Sequence, residues 1–199
     1  MKRLLCFTLL ICVLAGTLLG CSLKREPLEI SDEEALEVLS ELVPMSYEIN
    51  YIFFGEGLPT QSDDQSESTS YVPIDESLSK YLSIASIKMA AEKIYSKKYL
   101  SSVYIPMFEG NKKTSEDGLL DSEVSPRYKE IAGELHIDIS YNKLKIDSKM
   151  YVSSITVIKK TPDYVLVEGV GEYENGEAVT KRFYLTKENG IWLLDSPTY

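Results

Sequence analysis

Histidine is nearly absent from this 199-residue chain, and His136 stands alone. Cysteine is almost as scarce, with Cys6, Cys12 and Cys21 all near the N-terminus. A zinc centre draws on several such ligands, and a disulfide scaffold needs cysteines spread through the domain. No metal site and no cofactor is therefore expected. Basic residues are outnumbered 31 to 21, which leaves a formal net charge of −10. Nucleic acid is excluded as a partner, since its binding needs clustered basic charge to displace phosphate counterions. There is no phosphate-binding Walker loop, and Gly169-x-Gly171 lacks the third glycine and following helix of a dinucleotide site. Asp63, Asp64 and Glu67 lack the glycine and terminal glutamate of a calcium loop. No nucleophile elbow is present. Residues 60–70 contain no apolar side chain and cannot offset their ordering entropy by burial. The segment is expected as a loop.

Long apolar runs are also missing, with one exception. Residues 4–19 are almost wholly apolar, follow Lys2 and Arg3, and end in Leu18-Leu19-Gly20-Cys21. A basic start, a short apolar stretch and a small residue before the cut form a secretory signal. The run falls short of the roughly 20 residues that a membrane span needs. Cysteine directly after the small residue resembles the lipobox of bacterial lipoproteins. That resemblance implies cleavage before Cys21, diacylation of its thiol, and residence at the extracytoplasmic face of the cell membrane. Two acyl chains anchor a protein stably where one does not, at about 0.8 kcal/mol per buried methylene. Removing residues 1–20 takes 20 from 199 and leaves 179 residues, with the charge moving from −10 to −12 as Lys2 and Arg3 leave. That length suits one domain with its own core. The expected organisation is a signal peptide over 1–20, a tether over 21–30, and one domain over 31–199 with polar loops near 56–70 and 111–125.

The domain opens on helical patterning. Ser31 and Glu34 form a capping-box pattern, and Asp32 and Glu33 suit the positive end of the helix dipole. Leu36, Leu39, Leu42 and Val43 make an apolar stripe at helical spacing. Pro44 is expected to end this helix or to open the next, and Met45, Ile49, Ile52 and Phe53 continue the spacing up to Gly55. Ser83 and Ser96 cap two further helices, with Leu82–Ile87 and Tyr95–Leu100 as hydrophobic staples. The second of these is bent by Pro106 and stopped by Gly110.

After Pro126 the period changes to two. Leu135, Ile137 and Ile139 alternate with His136, Asp138 and Ser140, and Ala132-Gly133 suits a turn from a partner strand over 127–131. Strands over 151–158, 164–173, 178–186 and 191–194 follow, joined by turns that include Asn175-Gly176 and Asn189-Gly190, which are hairpin signals. Gly169 and Gly171 indicate a bulge or bend. The expected fold is α+β: N-terminal helices packed on one face of a curved C-terminal antiparallel β-sheet. This element order resembles the NTF2-like and cystatin-like architectures. Leu42-Val43-Pro44, Gly55-Glu56-Gly57-Leu58-Pro59, Ser125-Pro126-Arg127-Tyr128, Gly133-Glu134-Leu135 and Gly190-Ile191-Trp192 resemble lipoproteins of Clostridia-type bacteria. That resemblance implies location and fold but no activity.

The side chains that carry chemistry are few. His136 and Asp138 share a strand face and are the residues an enzyme on the concave sheet face would use, although a solvent-facing polar strand face explains them without catalysis. Glu109, Asp117, Asp121 and Glu123 lie in or near a loop, where solvation accounts for them; glycosidase chemistry would need two of them held across a cleft. Tyrosine is plentiful, with 14 residues, and it suits peptide or sugar surfaces as well as cores. The reading is a non-enzymatic binding or interaction module of the cell envelope. Its partners are the membrane, through the lipid, and an envelope protein, peptide or glycan. An inhibitor of wall hydrolases is the alternative. On strand 178–186, Val179, Lys181, Phe183 and Leu185 are expected to face the helices. Thr180, Arg182 and Tyr184 then face outward, which makes Arg182 and Tyr184 the candidate ligand contacts.

Overall fold

The computed structural model describes residues 29–61, 70–114, 120–146 and 148–199. The signal segment, Cys21 and most of the tether lie outside them, as do Asp63, Asp64, Glu67 and Asp117. Helix α1 spans Asp32–Phe53, and the Glu34 N–H donates to the Ser31 hydroxyl at 3.1 Å to cap it. Asp32, Glu33 and Glu34 lie in its first turn, where the helix dipole favours negative charge. Pro44 sits inside α1 and neither ends nor restarts it. Proline in a helix interior costs about 3 kcal/mol, but α1 is buried on both sides of it. Leu39, Leu42 and Val43 precede the proline and Ile49, Ile52 and Phe53 follow it, all buried. The inner face differs in part from the expected stripe: Met45 is exposed, while Ala35, Ser46 and Asn50 are buried.

The C-terminal end of α1 is closed by a segment far along the chain. Arg127 is only 1% exposed. Its guanidinium donates to the Phe53 and Gly55 carbonyls at 2.8 and 2.6 Å. The Tyr128 hydroxyl donates to the Ile52 carbonyl at 2.8 Å and accepts from the Leu58 N–H. A cation held on the last carbonyls of a helix complements the negative end of its dipole.

Helices α2 (Ile84–Ala91) and α3 (Lys97–Tyr104) start at Ser83 and Ser96, whose hydroxyls accept the expected backbone N–H groups. Tyr95 and Leu100 are both buried, whereas Leu82 is half exposed opposite a buried Ile87. A π-helical turn over Ile105–Glu109 contains Pro106 and ends at Gly110, which has φ +75°.

Three antiparallel sheets follow among the described residues. β1 (Tyr71–Pro73), β5 (Glu134–Asp138) and β4 (Tyr128–Ile131) form one, in the order β1-β5-β4. β2 (Asn111–Thr114) and β3 (Leu120–Val124) form a hairpin where a polar loop is expected. Residues 56–70 carry no strand in their described part beyond a Thr60–Ile74 bridge. The third sheet is the meander β6 (Met150–Thr161), β7 (Tyr164–Tyr173), β8 (Ala178–Glu188) and β9 (Ile191–Leu194). The β4–β5 pair therefore belongs to a separate sheet, with an unexpected partner in β1. Its turn has Ala132 and Gly133 at φ +51° and +89°, the backbone a type I′ turn requires.

Helix α1 packs on β6, and the inner face of the meander carries Val165, Val167, Phe183, Leu185 and Leu194, none of them exposed. The register of β6 against β7 slips at Ser153 and at Ile158. The first slip lies opposite Gly171, where a Cβ would stand 2.1 Å from the Tyr151 carbonyl oxygen. The glycine thus admits a bulge that its partner strand makes. On the far side, Ile94 and Ser96 bond to both sides of Leu194, so the edge of β9 is covered. The fold is α+β, with the long helix on one face of an antiparallel sheet.

Candidate functional site

Face alternation in β8 divides its inner and outer side chains as expected. Phe183 and Leu185 are buried, Arg182 is exposed, and Tyr184 is half-buried on the outer face. Arg182 Nε lies 3.8 Å from Glu168 Oε2 directly across the strand pair. Both side chains are well exposed, so the pair is screened and weak. The Tyr184 ring lies 6.1 Å from that of Tyr164. These side chains form a mixed charged and aromatic surface on the outer face of the sheet.

His136 is half-buried, and its Nδ1 is 3.0 Å from the Glu134 carbonyl oxygen on its own strand. Asp138 is buried, and its Oδ1 accepts from the backbone N–H and the hydroxyl of Ser140. Each side chain is thus held by a neighbour two residues away rather than by the other. Glu109 is exposed, and the side chains of Asp121 and Glu123 lie outside the description. Among the described residues, no three His, Cys, Asp or Glu side chains are grouped to hold a metal ion. No helix among them is long and apolar enough to cross a membrane.

A concave site lies on the helix side of the meander. A cleft of about 260 Å³ runs between α1, the chain entering β6, the β7–β8 turn and the C-terminal tail. Tyr47, Tyr173 and Tyr199 line it, with Val43, Ile146 and Met150 as apolar wall. The polar lining is mainly neutral: Ser46, Asn50, Ser148, Asn175 and Thr198. Lys145 and Glu177, of opposite sign, complete it.

The floor of the cleft is a buried hydrogen-bond chain. Asn50 Nδ2 donates to Thr198 Oγ1 at 2.7 Å. Thr198 Oγ1 lies 2.6 Å from Ser46 Oγ, which in turn bonds the Val43 carbonyl at 2.6 Å. The Tyr95 hydroxyl donates to Asn50 Oδ1 at 2.8 Å. Counting hydrogens assigns each one: amide to threonine, threonine to serine, serine to carbonyl, tyrosine to amide. Every hydroxyl donates once, and Asn50 spends one of its two amide hydrogens on Thr198. Ser46, Asn50 and Thr198 are each no more than 5% exposed.

The tail is tied by further bonds. The Tyr184 N–H donates to Ser196 Oγ, the Asp195 N–H donates to the Tyr184 carbonyl, and Lys181 Nζ donates to the Thr198 carbonyl at 3.0 Å. Burial pushes the Tyr95 hydroxyl up to about 12 and raises that of Tyr199, so both stay un-ionised at neutral pH. One wall group differs from the floor: Ser148 Oγ is buried with no hydrogen-bond partner.

A second hollow of about 530 Å³ lies beside Arg127, Asp138, Glu56 and Lys143. Its charges are largely engaged, since Lys143 Nζ is 2.5 Å from Glu56 Oε2 and Arg127 caps α1. The smaller cleft, with aromatic walls and a neutral floor, is the better candidate. It suits recognition by stacking and hydrogen bonding.

Of its residues, only the tyrosines stand out in the sequence. Ser46 and Asn50 do leave a trace. They are polar residues four apart on an otherwise apolar helical stripe, which signals buried polar groups that need a partner. Nothing local points to Thr198 as that partner. No protein-family model matches this chain, and no curated protein sequence matches it, so the reading of the site rests on its geometry.

Proposed function

We propose that this protein is a membrane-anchored lipoprotein of the extracytoplasmic face, working as a non-enzymatic binding module of the cell envelope. The anchor rests on the sequence Leu18-Leu19-Gly20-Cys21 after a basic start and an apolar run. The binding role rests on one observation: the cleft between α1 and the C-terminal tail, walled by three tyrosines over a rigid neutral floor. Ordered floor groups lower the entropy the protein loses on binding, because the site is formed before the ligand arrives. Ten residues separate Cys21 from Asp32, and an extended chain covers about 3.4 Å per residue. The domain would therefore stay within about 40 Å of the bilayer and meet ligands of that zone. Metabolic labelling tests the anchor. Radiolabelled palmitate is expected in the wild-type protein and absent from Cys21→Ala, which should also leave the membrane fraction. Equal labelling of the two would remove the anchor from the proposal.

A further inference from the structure

We infer that the cleft takes one neutral, pyranose-sized sugar unit, an inference that rests on the cleft being the binding site proposed above. Size comes first. At about 260 Å³ the cleft falls just below the range of about 300–1,000 Å³ typical of drug-sized ligand pockets. A single sugar ring is of the right order, whereas several peptide residues are not.

The walls point the same way. Tyr47 projects from α1 and Tyr173 from the end of β7, so aromatic surface reaches the cleft from two different elements. Tyrosine offers an apolar face with a polar tip, and a pyranose offers an apolar C–H face rimmed by hydroxyls. The polar complement is neutral apart from Lys145 and Glu177, whose charges are of opposite sign. Asn50 and Thr198 supply an amide and a hydroxyl in a cooperative, buried chain. The formal charge of −10 disfavours anionic ligands such as uronic acids or phosphorylated glycans.

The unpaired group is the most specific pointer. Ser148 lines the cleft, and its Oγ is buried with no partner. Buried hydroxyls are normally hydrogen-bonded. A ligand hydroxyl seated between the tyrosines would give Ser148 one hydrogen bond, as donor or as acceptor. The fold alone accounts for the Asn50–Thr198–Ser46 chain, which ends on the Val43 carbonyl, but it does not account for Ser148.

The test is a titration of the full chain in detergent micelles, followed by backbone amide NMR. Its arms are N-acetylglucosamine, glucose, glucuronic acid and tri-alanine. The expected result is saturable shifts at Tyr47, Ser148 and Tyr173 with a neutral sugar, at a dissociation constant of order 1 mM, and none with glucuronic acid. Tyr47→Ala, at a half-buried helix position, should weaken binding about fivefold to tenfold through lost ring contact. Ser148→Ala should weaken it about threefold or more through one lost hydrogen bond, with an unchanged melting temperature. Saturable shifts with tri-alanine alone would overturn the sugar assignment and leave the cleft as a binding site. Glucuronic acid binding as tightly as glucose would overturn the neutrality argument. Silence of all cleft resonances in every arm would remove both the sugar and the cleft.

Discussion

Replacing Thr198 by valine keeps the side-chain shape and removes its hydroxyl. Three groups converge on that oxygen: Asn50 Nδ2 at 2.7 Å, Ser46 Oγ at 2.6 Å and the Tyr95 hydroxyl at 3.1 Å. Valine leaves the Asn50 amide hydrogen buried with no acceptor, a loss of about 1–3 kcal/mol. Ser46 still donates to the Val43 carbonyl, so its own loss is small. The added buried methyl returns about 0.8 kcal/mol. The net expectation is a destabilisation of about 1–2 kcal/mol. Urea unfolding reads this as a midpoint lowered by roughly 0.5–1 M, for an m-value of about 2 kcal/mol/M. The effect should be felt first in the tail. Exchange of the Asp195 amide, which donates to the Tyr184 carbonyl, is expected to accelerate. Ser46→Ala supplies the control. If the hydroxyl chain is real, Ser46→Ala and Thr198→Val are non-additive by about 0.5 kcal/mol or more. Strict additivity, or an unchanged midpoint with Asp195 still protected, would refute the chain and the rigid floor it forms.

Two other outcomes follow from the same packing. Phe183→Ala should destabilise by about 3–5 kcal/mol, because Phe183 is wholly buried in the core. Arg182→Ala, next to it on the open face, should change stability by less than about 0.5 kcal/mol; denaturant midpoints that rank the two the other way would invert the face assignment. Burial raises Tyr95 and Tyr128 from 10.0 to about 12. Their contribution is whole below pH 10 and declines above it, because unfolded tyrosine ionises first; it is lost as the pH passes about 12. At about pH 11 the loss is about 1.4 kcal/mol for each, and a stability that stays flat from neutral pH to about pH 11 would contradict their burial.

Much of the architecture is legible in the sequence because the physics involved is local. A helix cap is settled within three residues, and Ser31, Ser83 and Ser96 each accept the N–H expected of them. Strand faces are settled by alternation, so Phe183 and Arg182 divide as expected, and Asn189-Gly190 makes its turn with φ of +51° and +85°. The α+β order follows from the switch in hydrophobic period. Tertiary structure decided the rest, wherever one segment depends on another far away. Proline patterning alone breaks a helix at Pro44, but burial on both sides carries α1 through it. Nothing near Tyr71 announces that β1 will add to β5, or near Arg127 that its guanidinium will close α1 from 74 residues away. The cleft belongs wholly to this second class. Ser46 and Thr198 meet across 152 residues. A polar residue on an apolar stripe shows that a partner must exist, but only the folded chain can bring that partner within hydrogen-bond reach.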